Sequence, residues 1–290
     1  MECGLEVGYE MKRDKRNNLM IKINRVKTFE KILMIGLGLI MVQCATVPIT
    51  GRKQLLIMPE SEMVQMSLTS YNDFLKENKL STDATGTKRV KEVGQRIANA
   101  VEEYLKSQGM ESLIKDYQWE FNLVASEEVN AWCMPGGKVV VYEGILPICQ
   151  NDDGLSVVMG HEIAHAIARH GNERMSQQMV VQAGSAAAAY ALKDKPEATQ
   201  TLLGSAIGLG ANYGVMLPFS RKHELEADRL GLIFMTIAGY NPEEAIPFWN
   251  RMSSVGSGQK PPEFMSTHPS DAHRIEQIKA LLPEVMKYKR

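Results

Sequence analysis

No histidine occurs in the first 160 residues of this 290-residue chain. All six, His161, His165, His170, His223, His268 and His273, come later. Scattered surface histidines would not segregate so fully, so the chemistry is expected in the C-terminal half. An excess of charge of one sign is missing too: the formal net charge is -1, with no block of like charge. Nucleic acid is therefore not an expected partner, and no charged interaction tail is present. The four cysteines, Cys3, Cys44, Cys133 and Cys149, include no C-x-x-C pair, which removes the zinc ribbon and the dithiol redox motif. Cys133 and Cys149 could join in an oxidising compartment, but two buried thiols are the plainer expectation. There is no internal repeat. The uncharged apolar run at 32–42, ILMIGLGLIMV, has eleven residues, against about 20 for a membrane span. What remains, 44% apolar and 23% charged residues, is ordinary for a folded globular chain.

Lys22, Arg25, Lys27 and Lys31 precede the apolar run and Cys44 follows it, the layout of a secretory signal. Cys44 is placed like the lipid-bearing first residue of a bacterial lipoprotein, although Gln43 stands where a small residue normally precedes the modified cysteine. An uncleaved anchor and ordinary cleavage nearby are the alternatives. Residues 1–19 are polar and make an odd prefix to a signal, so Met20 fits as the true start. The expected organisation is a signal peptide over 1–43 and a catalytic domain over 44–290. That domain would face the periplasm of the cell envelope, held to the membrane by a lipid on Cys44.

Along the mature chain, Ser61 is expected to cap a helix running to about residue 78. Val90, Val93, Ile97, Val101 and Leu105 recur at helical spacing within a second helix, 86–107. YQWEFNLV, 117–124, alternates like a strand, and Lys138–Tyr142 reads as another after a turn at Pro135, Gly136 and Gly137. Asp152 or Asp153 is expected to cap the next helix. Residues 172–215, rich in Ala, Gly, Met and Gln, predict two buried or partly mobile helices broken at Lys193–Pro196. Helices are expected over 221–238, from Pro242, and from near Ser270 or Asp271, with a loop at 256–262. The order predicts an α+β fold, mostly helical, with a small β-sheet beside the helix that carries the principal motif.

That motif is MGHEIAHAIARH, 159–170. Residues four apart share a helix face, so His161 and His165 can aim two imidazole nitrogens at one cation. Glu162, about 100° round the helix, can reach a water on that cation. This is the H-E-x-x-H arrangement of two zinc ligands and a general base. The flanks, LSVVM and AIA, are apolar, and burying two histidines and a glutamate without partners would cost several kcal/mol. A zinc ion would satisfy them. A catalytic zinc needs a third protein ligand, and RKHELEADRLGL offers Glu224, with His223 and Glu226 as rivals. Glu224 is favoured because Asp228, four residues on, can then accept the free N–H of a ligand histidine and fix its tautomer.

HEIAHAIARH together with ELEADRLGL resembles the zinc metallopeptidase family M forty-eight, of the CAAX prenyl protease and mitochondrial inner-membrane quality-control peptidase type, in a bacterial lipoprotein-like form. NAWCMPGGKVVVYEGIL, 130–146, resembles the segment before that family's zinc helix, where Ala often stands at Cys133. STHPSDAHRI resembles its late His-Pro motif, with an arginine six positions after the histidine. The similarity covers most of 44–285. It implies a zincin-like fold and one zinc ion held by His161, His165 and Glu224, with Glu162 as base and Asp228 behind a ligand. His268 and Arg274 would approach the site, either to stabilise the developing oxyanion or to orient Asp228 and Glu224. His170 and His273 are expected at the surface.

The reaction implied is hydrolysis of unfolded or misassembled polypeptides by zinc-activated water. The substrate is expected to pair with the strand Lys138, Val139, Val140, Val141 as an edge, with Asn130 and Ala131 bordering the same groove; an interior strand is the alternative for 138–142. A zinc-dependent, chaperone-like binding module with weak proteolysis is the competing function. A metal-buffering protein is a third, and Glu162 argues for the enzyme over the module.

Overall fold

In the computed structural model, residues 44–211, 217–255, 262–268 and 273–289 are described. The expected signal segment, and Pro269, Ser270 and Asp271, lie outside them. Residues 46–290 make one unit and residues 1–45 another; the three-stranded sheet and the helices packed on it belong to the larger.

Two long helices precede the three-stranded sheet, α1 (Glu60–Glu77) and α2 (Ala84–Ser107). The apolar stripe of α2, Val90, Val93, Ile97, Val101 and Leu105, is at most 1% exposed, as its spacing requires. Asp83, not a residue inside the helix, caps α2 by accepting from the Thr85 amide. Three strands follow: β1 (Glu120–Val124), β2 (Ala131–Met134) and β3 (Lys138–Tyr142). Gly136 and Gly137, at φ +90° and +84°, turn β2 into β3, a conformation that excludes most side chains.

The sheet order is β1-β3-β2, with β3 parallel to β1 and antiparallel to β2. This corrects one expectation. Lys138, Val139, Val140 and Val141 do not form an edge: β3 is paired on both sides and all five of its residues are buried. Consecutive valines mark a strand covered on both faces, not one half open to solvent. The outer side of β1 is itself occupied, because Ser81 donates to the Leu123 carbonyl and Ala125 to that of Lys79, both at 2.9 Å. Among the described residues, β2 carries the open edge.

Helix α3 (Asp152–Ile167) packs against α2, β2 and, most extensively, α6 (Leu217–Ile237). Its cap is Asn151, whose side chain accepts from the Gly154 amide, one residue before the expected aspartates. Between α3 and α6 run α4 (His170–Leu192) and α5 (Glu197–Ala211). Beyond Gln177 these two are mostly exposed, with Tyr190 72% and Leu202 71% accessible, so of the two alternatives expected for them, buried or partly mobile, the buried one does not hold. No helix of the described residues is long and apolar enough to cross a membrane. Helices α7 (Ala245–Val255), α8 (Glu263–Thr267) and α9 (Arg274–Val285) close the far side.

Candidate metal centre

Helix α3 brings His161, Glu162 and His165 to one face, α6 supplies Glu224 and Asp228, and the residue ending α8 supplies His268. The His161 and His165 Nε2 atoms lie 3.1 Å apart. Glu224 stands 3.3 Å from the first and 3.4 Å from the second. His268 Nδ1 is 3.2 Å from His161 Nε2 and 3.1 Å from Glu224 Oε2. The four side chains make one group that could hold a metal ion. Separations of this size are the edges of a tetrahedron whose centre is ~2.0 Å from each corner, the bond length of nitrogen and carboxylate ligands to a small divalent ion. Three imidazole nitrogens facing one another at this distance repel as lone pairs unless a cation or protons lie between them. The donor set therefore fits a metal.

Behind the donors, His161 Nδ1 is 3.0 Å from Asp228 Oδ1. A carboxylate can only accept here, so His161 donates from Nδ1 and presents the Nε2 lone pair. Arg274 donates to the same Asp228 oxygen at 2.7 Å, sits 3.5 Å from Glu224 Oε2, and lies 3.6 Å over the Trp249 ring. It is 3% exposed. Arg274 therefore stands behind the ligands and off the cleft. Of the two roles considered for it, this geometry suits orientation.

Electrostatics follow the burial. Desolvation pushes Glu224 up, but hydrogen bonds from His161 and His268 overcome it and leave the carboxyl well below its ordinary range. Burial also raises Glu162, offset in part by His268 and His161, and the net shift is upward. Its buried Oε1 has no hydrogen-bond partner and lies 3.4 Å from His268 Nε2. Asp228, raised by burial, is brought below its usual value by Arg274 and His161.

A cleft of about 220 Å³ opens beside these groups, lined among others by Glu162, His165, His268, Cys133 and Pro135. The end of β2 thus borders it. Asn130 and Ala131 do not line it: Asn130 turns its side-chain oxygen onto the Ala131 amide, and Ala131 is buried. Cys133 and Cys149 are both free thiols.

The two rivals for the third ligand position belong elsewhere. His223 Nε2 contacts Glu173 at 2.9 Å, and Glu226 contacts His170 Nε2 at 3.1 Å. His170 is not at the surface; it is 4% exposed, with Nδ1 2.9 Å from His165 Nδ1. On a continuous helix, residues five apart point about 140° from each other. Arg169 breaks the helix with a left-handed φ of 57°, and that turn swings His170 back onto His165. No sequence signal announced it, since Gly or Asn normally occupies such a position.

A helix carrying two histidine donors and a carboxylate, joined by a glutamate from a second helix, defines a metallopeptidase type of site. The chain belongs to peptidase family M48, whose model matches residues 87–282. It is 41% identical over 172 residues to the mitochondrial metalloendopeptidase OMA1 of Schizosaccharomyces pombe, covering 59% of this chain and 49% of that protein. It is 30% identical over 245 residues to the mitochondrial metalloendopeptidase OMA1 of Homo sapiens, covering 83% and 46%. The β-barrel assembly-enhancing protease of Escherichia coli is 28% identical over 162 residues, covering 54% and 33%. The chain thus spans half or less of the length of these relatives.

Proposed function

We propose that this chain is a zinc-dependent endopeptidase that cuts unfolded or misassembled polypeptides at a membrane. The observation that carries the reading is the convergence of His161, His165 and Glu224 on one point, with buried Glu162 beside it. Bound there, zinc supplies a Lewis acid that acidifies water and polarises a carbonyl. Glu162 takes a proton from the attacking water and returns it to the leaving amine; its buried, unpartnered Oε1 leaves it free for both transfers. Asp228 holds His161 in the ligating tautomer, and Arg274 ties Asp228 to Glu224. His268 Nε2, facing Glu162 across the cleft, is placed to donate to the oxygen that gains charge. The peptide lies extended against the free edge of β2. Main-chain pairing of that kind is largely blind to side chains and suits unfolded substrates. Placement in a bacterial envelope with a lipid on Cys44 belongs to the same reading, supported by the basic and apolar run before that cysteine and by the bacterial relative.

The second reading, a binding module with latent proteolysis, is favoured by one contact. His268 Nδ1 stands where a fourth ligand would, and a filled fourth position leaves no place for water. One assay separates the two. Purified protein is offered an unfolded reporter with and without chelator. Glu162→Gln should keep its metal and lose cleavage by at least ~100-fold. His268→Ala should lower cleavage if the side chain donates to the oxyanion and raise it if the side chain blocks the site. Unchanged cleavage in Glu162→Gln would remove the mechanism.

A further inference from the structure

A hydrogen-bond chain on the far side of His165 begins at the cleft wall, where His170 and His223 also stand, and runs on to Arg52. His165 Nδ1 meets His170 Nδ1 at 2.9 Å, and His170 Nε2 meets Glu226 Oε2 at 3.1 Å. Glu226 is held by Thr50 Oγ1 and, at 2.8 Å, by Arg52 Nε. The Arg52 fork also binds Glu173 through both terminal nitrogens, at 2.8 and 2.7 Å. His223, itself on Glu173, stacks on His170 with ring centres 4.2 Å apart and planes 13° from parallel. His170, Glu173, His223 and Glu226 are all less than 9% exposed.

The direction of each bond follows from the far end. Glu226 accepts from Thr50 Oγ1 and, at 2.8 Å, from Arg52 Nε, so it stands there as a carboxylate. It can only accept, so His170 donates from Nε2. A neutral imidazole then accepts at Nδ1, and His165 must donate from its own Nδ1. That leaves the His165 Nε2 lone pair turned to the donor group. His161 receives the same service from Asp228 alone. Arg52 pairs with both carboxylates at the end of the chain, at 2.7 Å each, and so fixes Glu226 where His170 meets it.

We propose that His170 is a positioning residue for the metal ligand His165, locked by Glu226 and, through it, by Arg52 in the segment just after Cys44. This rests on the reading that His161, His165 and Glu224 hold zinc. It extends the metal site's support to a residue before the family-matched region, which starts at 87. The segment around Arg52 is therefore part of the working site as well as its connection to whatever precedes it.

The test uses the full chain, with zinc affinity read by chelator competition and the cobalt form by its visible spectrum. His170→Phe keeps a ring to stack on His223 but offers no acceptor. It should bind zinc ~10- to 100-fold more weakly and alter the cobalt spectrum. His170→Gln carries an acceptor and a donor at comparable spacing and should restore both. Wild-type affinity and spectrum in His170→Phe would overturn the proposal, as would equal loss in Phe and Gln forms, which marks packing alone. Should His170→Phe fail to fold, Arg52→Gln, at a partly exposed side chain, decides. A fall in affinity towards the lower end of that range supports the proposal, and none overturns it. His165→Ala is the control for the underlying reading: a wild-type protein that takes up no more metal than His165→Ala sinks both, whereas normal uptake lost in His165→Ala and kept in His170→Phe sinks only this one.

Discussion

Cys149 closes a single helical turn, 146–149, and is fully buried. Burial pushes its thiol up to about 12, against the smaller opposing pull of Arg89 and Arg251. An unfolded cysteine titrates near ~8.5. The folded form therefore keeps a proton that the unfolded form releases. The stability tied to this group is fully present below the unfolded value and is lost as pH rises from there towards about 12. Unfolding free energy measured at rising pH should decline over that window, and Cys149→Ala should decline less. Parallel slopes would contradict it. Residues of this kind were legible in the sequence only as plain thiols, whereas His161, His165 and Glu224 were legible as ligands. Their spacing encodes a shared helix face, and apolar flanks show that the face is buried. His170 was not legible, because its direction depends on one left-handed residue, Arg169.

Helices α3 and α6 cross at Gly160 and Gly231. A Cβ on Gly160 would come within 2.9 Å of the Gly231 oxygen, and one on Gly231 within 2.8 Å of the Gly160 carbonyl carbon and the His161 nitrogen. The backbones touch, and that contact sets the distance between His161 on one helix and Glu224 on the other. Gly231→Ala should force the helices apart, costing about 1–3 kcal/mol of stability and weakening metal binding. Gly208→Ala in α5, whose Cβ would meet nothing within 4 Å, should leave metal binding unchanged. Denaturant midpoints and metal titrations of both variants check this. The sequence announced α2, α3 and the β2–β3 turn, each through a local pattern or glycine pair. It misplaced the free edge because Lys138–Tyr142 also pairs in parallel with β1, a long-range partner that no local pattern carries.

At the scale of the molecule, the proposed ligands come from two helices far apart in sequence, α3 and α6. A cation held by all of them binds the folded form and not the unfolded one. At a hundredfold excess over its dissociation constant it would add ~2.7 kcal/mol. For a chain of this size that is a shift of roughly 5–10 °C in Tm. Chelation should lower Tm by about that much and added zinc should restore it, as a thermal scan would read. An unchanged Tm would mean that no such ion bridges these segments. The family was legible because four separated stretches matched its pattern in order. The exposure of α4 and α5 was not legible, since small-residue helices read alike whether a protein or solvent covers them.

One edge of the sheet is sealed by the chain around Leu80, and the other, among the described residues, is bare beside the cleft. A guest strand accepted there must offer its own amide protons at every second residue. Proline has none to give. A polypeptide with an imino acid at those alternate places would slide past uncut, and cleavage maps would show gaps that owe nothing to side-chain taste.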